Sequence, residues 1–238
     1  MNLCIFAGIC DKSEMLMYVC KLLASAEHSV LLVDATEKRK YPYYIGRLDE
    51  QLQITDFSGF DVACGFEDAT GLEAYLHSAG GSLEKYDYVI FDLELPDFCS
   101  SEIWRKASPL IWVTDYGIWT LEKGSCWLEA AVHRHFGAEA VPEFNQVVIH
   151  AVDDWFGSTY LEGYFNRLPV CWLDDPVIIP WNELDFSLKL QNEHMKKVRM
   201  KPLTRGYKRN LCLLMQKLTD WDQKQMNRIL RIAERSKT

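Results

Sequence analysis

A set of short, almost wholly apolar runs separated by helical stretches constrains this chain more than any other feature. NLCIFAG (2–8) and SVLLVDA (29–35) are continuously apolar rather than alternating, the pattern of parallel strands covered by helices on both faces. YDYVIFDLELP (86–96), PLIWVTD (109–115), QVVIHAV (146–152) and PVCWL (169–173) supply four further strands. Between them, residues 13–26 place Leu16, Val19, Cys20 and Leu23 at helical spacing, and helices are also expected near 69–79, 118–136 and 155–166. The polar stretch 36–51 predicts an ordered loop, followed by short strands near 51–57 and 61–66. The expected fold class is α/β, with a layered, mostly parallel sheet and helices on both faces.

From about Trp181 the texture changes to charged helical sequence. Pro202 and Gly206 punctuate it, and helices are expected over 206–218 and 220–235. A chain of 238 residues suits one α/β domain with an appendage, so we divide it into an α/β body, 1–188, and a basic helical extension, 189–238, packed on that body. The extension carries 14 Lys and Arg against 4 Asp and Glu, whereas the body carries 12 against 30. An overall charge of −8 therefore hides an acidic body and a basic tail. In the last helix Met226, Ile229, Leu230 and Ala233 form one stripe, with Lys224, Arg228, Arg231 and Arg235 elsewhere around it. Such a stripe docks on its own core, or lies on an anionic membrane or against a partner, and the basic residues suit nucleic acid equally. No apolar run approaches a membrane span, and no basic segment followed by an apolar one marks a secretory leader, so a cytoplasmic protein is expected, with peripheral membrane or polar placement open.

The eight cysteines contain no CxxC pair and read as reduced core residues. Cys126, His133 and His135 are the nearest approach to a metal set, but their spacing matches no closed zinc pattern, and a helix with an exposed His-Arg-His segment is the simpler reading.

The chemistry-bearing residues gather at strand ends. FAGICDKSEM (6–15) carries Gly8, Asp11, Lys12 and Ser13 between a strand and a helix; Asp34 ends the second strand, and Asp92 stands near the end of the third apolar run. Together these landmarks resemble the deviant Walker A P-loop ATPases, the ParA/MinD superfamily, over roughly residues 2–180. In that family a K-G-G-x-G-K-[ST] loop, an LLVDAD-like strand end and a YDxIIID strand follow one another, and here QVVIH and VIIPW sit like its late strand and its following I-P segment. The resemblance implies a P-loop NTPase-like fold and an Mg-ATP site, with Lys12 toward phosphate and Ser13, Asp34 and Asp92 near the metal. It also implies a homodimer and protein partners.

The loop departs from that pattern. Ala7 stands at the signature lysine, and Ile9 and Asp11 stand at glycines. Phosphate cradles need backbone amides that converge through conformations glycine reaches without strain. Asp11 also adds a negative charge, and two like charges about 4 Å apart repel by about 4 kcal/mol at an effective dielectric near 20. His150 falls where the family usually has asparagine. The expectation is a pseudo-ATPase scaffold with a degenerate site, similar to the subgroup that includes CpaE/TadZ-like pilus-assembly proteins; the alternative is an atypical ATP-binding switch that controls dimerisation with weak or no hydrolysis. Tyr41, Tyr43, Tyr44, Phe57 and Phe60 cluster where the family has its first switch region, and read either as a partner-anchoring surface or as residues buried against the sheet.

Overall fold

The computed structural model describes residues 1–46, 53–137, 140–152 and 157–236. Its strands are β1 (Asn2–Ala7), β2 (Val30–Ala35), β3 (Ile54–Phe57), β4 (Phe60–Ala63), β5 (Tyr88–Leu93), β6 (Leu110–Thr114), β7 (Glu143–Ala151) and β8 (Cys171–Pro180). They form a single sheet in the order β3-β4-β2-β5-β1-β6-β7-β8. Every neighbouring pair is parallel except the β3–β4 hairpin at one edge. The helices are α1 (Ser13–Ser25), α2 (Tyr41–Ile45), α3 (Ala69–Ser78), α4 (Ser101–Lys106), α5 (Ile118–Phe136), α6 (Gly157–Phe165), α7 (Glu183–Met195), α8 (Arg205–Leu218) and α9 (Gln223–Arg235).

Strand alternation sorts the core into two layers. Cys4, Phe6, Leu32 and Ile90 face a cluster built with α1, α8 and α9, while Ile5, Leu31, Val89 and Phe91 face one built with α3 to α6. Because both faces are covered, the central strands are buried along nearly their whole length, which is why they read as unbroken apolar runs.

Three departures from the expected elements have local causes. The loop predicted over 36–51 contains α2, whose Pro42 falls in the first turn, where its missing N–H costs nothing, and whose end is closed by Gly46 in the left-handed region. The residues from 47 to 52 lie outside the described part, and with them the expected start of β3. Strand β8 runs on past Leu173 to Pro180 although Asp174, Asp175 and Pro176 interrupt its apolar pattern. The pairing explains it: Asn145 opposes Leu173 but Val147 opposes Val177, so the extra residues bulge from an edge strand, where proline breaks no ladder. Helix α4, capped by Ser100 through the Ile103 N–H, is too short to show a periodicity.

The charged segment after Trp181 begins with α7, which spans residue 188 and is capped by Asn182. Leu188 on α7, Leu211, Leu214 and Met215 on α8, and Met226, Ile229 and Ala233 on α9 all join the same cluster as α1 and the sheet. Among the described residues no helix is long and apolar enough to cross a membrane.

Candidate functional site

The site lies at the carboxyl ends of the central strands, where open α/β sheets place ligands. Parallel register sets Phe6 beside Asp92 and Asp92 beside Asp34, so both carboxylates project toward α1. The chain leaves β1 through residues 8–12 and enters α1, which starts without a side-chain cap from its N-cap residue, Lys12.

Gly8 is held by geometry. Its φ is +147°, and a Cβ there would stand 2.1 Å from the Val113 carbonyl oxygen of β6. Its own N–H donates to Leu93 O at 3.1 Å, and the Cys10 thiol donates to Val113 O at 3.4 Å. The loop is thus stitched to β5 and β6.

Lys12 is buried to 1% exposure. Its ammonium donates to the Gly8 carbonyl at 2.7 Å and pairs with Asp92 Oδ1 at 2.7 Å. The other oxygen of Asp92 accepts from the Tyr41 hydroxyl at 2.8 Å, and Tyr41 is fully buried. Burial alone would push the Lys12 ammonium toward deprotonation; Asp92 outweighs it and holds the amine charged above the ordinary lysine range.

Asp34 is treated differently. One carboxylate oxygen accepts from both the Thr36 hydroxyl, at 2.6 Å, and the Thr36 N–H, at 3.2 Å. The other, Oδ2, is buried with no hydrogen-bond partner among the described residues. Burial, reinforced by the neighbouring Asp92 and opposed by the Thr36 bonds and by the Tyr41 backbone N–H, raises this carboxyl to about 6.

Asp11 sits just ahead of α1 and accepts from the Ser13 hydroxyl at 2.7 Å and the Ser13 N–H at 3.4 Å. Lys40, the N-cap residue of α2, reaches its other oxygen at 2.6 Å, and Lys189 of α7 approaches that oxygen at 3.5 Å. Burial pushes the Asp11 carboxyl upward, but Lys189, Lys40 and Ser13 more than reverse it, leaving the group well below the ordinary carboxylate range.

The sequence matches no protein-family model and no curated protein sequence. Among solved structures, a ParA family ATPase from Chlorobium tepidum is similar at a TM-score of 0.61, with 15% identity over 90% of this chain and 98% of that one. A putative plasmid partition protein from Borrelia burgdorferi, bound to AMPPNP, gives 0.60 at 14% identity over 92% and 99%. The MinC:MinD cell division complex of Aquifex aeolicus gives 0.54 at 13% identity over 99% and 95%. This chain carries the ParA/MinD fold.

Within that ParA/MinD fold the six residues singled out from sequence, Gly8, Asp11, Lys12, Ser13, Asp34 and Asp92, lie around one strand-end site, but they are grouped by internal bonds that the sequence did not disclose. Lys40, Tyr41 and Lys189 are the residues missed as partners. Tyr41 stood out only as one of several aromatics, and Lys189 is far from Asp11 in the chain. The one available signal was the loop itself, since a buried lysine without its glycine-rich surroundings requires an internal anion.

Of the clustered aromatics, Tyr43 alone is strongly exposed, at 75%; Tyr44 is half-buried, while Phe57 and Phe60 are buried edge to face. His150 lies exposed at the end of β7 with a φ of +52°. Lys224, Arg228, Arg231 and Arg235 are exposed on α9. The His-Arg-His segment is not wholly exposed as expected: His135 is buried, stacked on Trp104 at 5.2 Å and bonded through Nδ1 to the Ser101 hydroxyl at 3.1 Å, because α5 turns that position toward α4. Nor are all cysteines core residues, since Cys126 and Cys171 are exposed, on α5 and edge strand β8. Among the described residues no cluster of three or more His, Cys, Asp or Glu could hold a metal ion.

Proposed function

We propose that this chain is a non-catalytic ParA/MinD-like scaffold, a pseudo-ATPase that acts through protein partners in cellular positioning or in pilus or secretion machinery. The observation that carries the reading is the buried Lys12–Asp92 pair closed by Tyr41. A triphosphate and its metal would need the Lys12 cation and the Asp92 carboxylate, and each already has a partner of opposite charge. The amide and hydroxyl of Ser13 face the Asp11 carboxylate, where a phosphate would otherwise be cradled. The residues present therefore do not fit Mg-ATP.

The similar structures include a putative plasmid partition protein and a cell division MinD in complex with MinC, which supports a positioning role exercised with a protein partner; a homodimer and a cytoplasmic place belong to the proposal alone. The basic face of α9 is the proposed contact for an anionic membrane or nucleic acid. Salt-sensitive retention on anionic vesicles or duplex DNA that disappears when Arg228, Arg231 and Arg235 become glutamine is the expected result; retention unchanged by those substitutions, or none at low salt, removes that contact.

A second reading, an atypical ATP-binding switch, is favoured by one observation: Asp34 Oδ2 is a buried acceptor left without a partner in the site. Phosphate release from Mg-ATP by the full chain distinguishes an enzyme from a scaffold. No release above the protein-free blank is expected, whereas turnover abolished by Lys12→Ala would overturn the proposal.

A further inference from the structure

We infer that the Asp11 carboxylate is a built-in anion that clamps three separate helices together at the mouth of the site, doing for this chain what a bound phosphate does at a helix N-terminus. This deepens the scaffold reading and rests on it. The geometry is convergent. Asp11 precedes α1 and faces its first amide and hydroxyl through Ser13; Lys40 comes from the start of α2, at 2.6 Å; Lys189 comes from the middle of α7, at 3.5 Å. Two cations from elements far apart in sequence meet one carboxylate that is itself only partly exposed, at 31% of its side chain. That is the chemistry with which proteins hold a phosphate, namely backbone N–H, hydroxyl and lysines around one negative group, but the negative group is covalently part of the chain.

The clamp has a consequence for α2. Its first residue, Tyr41, is fixed to Asp92, its N-cap lysine to Asp11, and the Tyr43 carbonyl accepts from Lys196 at the end of α7. Helix α2 is thus tied to the loop, to β5 and to α7 by the protein's own groups, and it carries the exposed Tyr43 ring. Helix α2, which a nucleotide would order in a switch protein, is held here from within, so the placement of Tyr43 should not depend on nucleotide.

Hydrogen exchange on the full chain, followed in peptides covering 36–46 and 183–195, tests the inference. Asp11→Asn should speed exchange in both peptides by about tenfold, Lys40→Met in the first alone and Lys189→Met in the second alone. In Asp11→Gly, which opens the position, sodium sulfate at constant ionic strength should slow both peptides again by a factor of five or more while the native chain changes less than twofold. That control separates occupancy of the vacated position from the general stabilising action of sulfate. Exchange unchanged in all three charge variants would overturn the clamp, as would equal loosening of both peptides by each lysine variant, or sulfate acting alike on native and Asp11→Gly chains. None of these failures bears on turnover, so the clamp and the scaffold reading fall by different results.

Discussion

Asp92 and Asp34 stand opposite each other in register, on the same face of neighbouring strands, yet the protein treats them in opposite ways. On the Asp92 side both oxygens are taken, by the Lys12 ammonium and the Tyr41 hydroxyl, and the lysine is held charged. On the Asp34 side only one oxygen is bonded, and the carboxyl is raised to about 6. The difference teaches that two neighbouring strand-end carboxylates can share a face and a register and still be compensated unequally. A lysine and a tyrosine closing on one carboxylate compensate its negative charge, while its neighbour, bonded by Thr36 but facing no cation, keeps much of its desolvation cost.

The largest effect should come from breaking the satisfied side. Lys12→Ala leaves Asp92 buried and uncompensated and should cost about 3–5 kcal/mol in denaturant unfolding, whereas Lys12→Met combined with Asp92→Leu should lie within about 2 kcal/mol of the native chain. Equal losses in both would show that volume, not charge, decides the site.

Asp34→Asn sharpens the contrast from the other side. Because the folded carboxyl titrates near 6, above its ordinary 3.8, the folded state binds the proton more tightly than the unfolded one. Native stability should therefore gain from this group as pH falls from about 6 toward 4, and lack that gain above 6. The asparagine variant should be more stable than the native chain at pH 7, by up to about 3 kcal/mol, with the advantage vanishing near pH 4. Parallel stability curves for the two proteins would contradict this. Tyr41→Phe, which removes one donor from Asp92 while keeping the ring, should cost about 1–3 kcal/mol, and a neutral outcome would mean that Lys12 alone satisfies that carboxylate.

Much of this was legible in the sequence, and what was not has a physical reason. The central strands announced themselves because burial on both faces demands unbroken apolar runs, while the grouping of Lys12, Asp34 and Asp92 in one site came from the resemblance of the loop, LLVDA and YDYVIFD to the ParA/MinD landmarks. Gly8 was recognised as a surviving glycine, but its reason, the approach to Val113 O, is a contact across more than a hundred residues. The clamp on Asp11 was invisible for the same cause, since Lys40 and Lys189 are ordinary lysines until the fold brings α2 and α7 to the loop. Strand β8 ran past its apparent end because an edge bulge absorbs polar residues that no periodicity rule tolerates.

Lys12, Asp92 and Ser13, which a triphosphate and its metal would need, are already engaged by the protein's own groups. A calorimetric titration of the native chain with Mg-ATP tests this most directly. No heat of binding at millimolar nucleotide and no rise in unfolding free energy are expected, where a ligand at 100 times its dissociation constant would add about 2.7 kcal/mol. Saturable binding with a submillimolar dissociation constant, weakened by Lys12→Ala, would contradict that expectation.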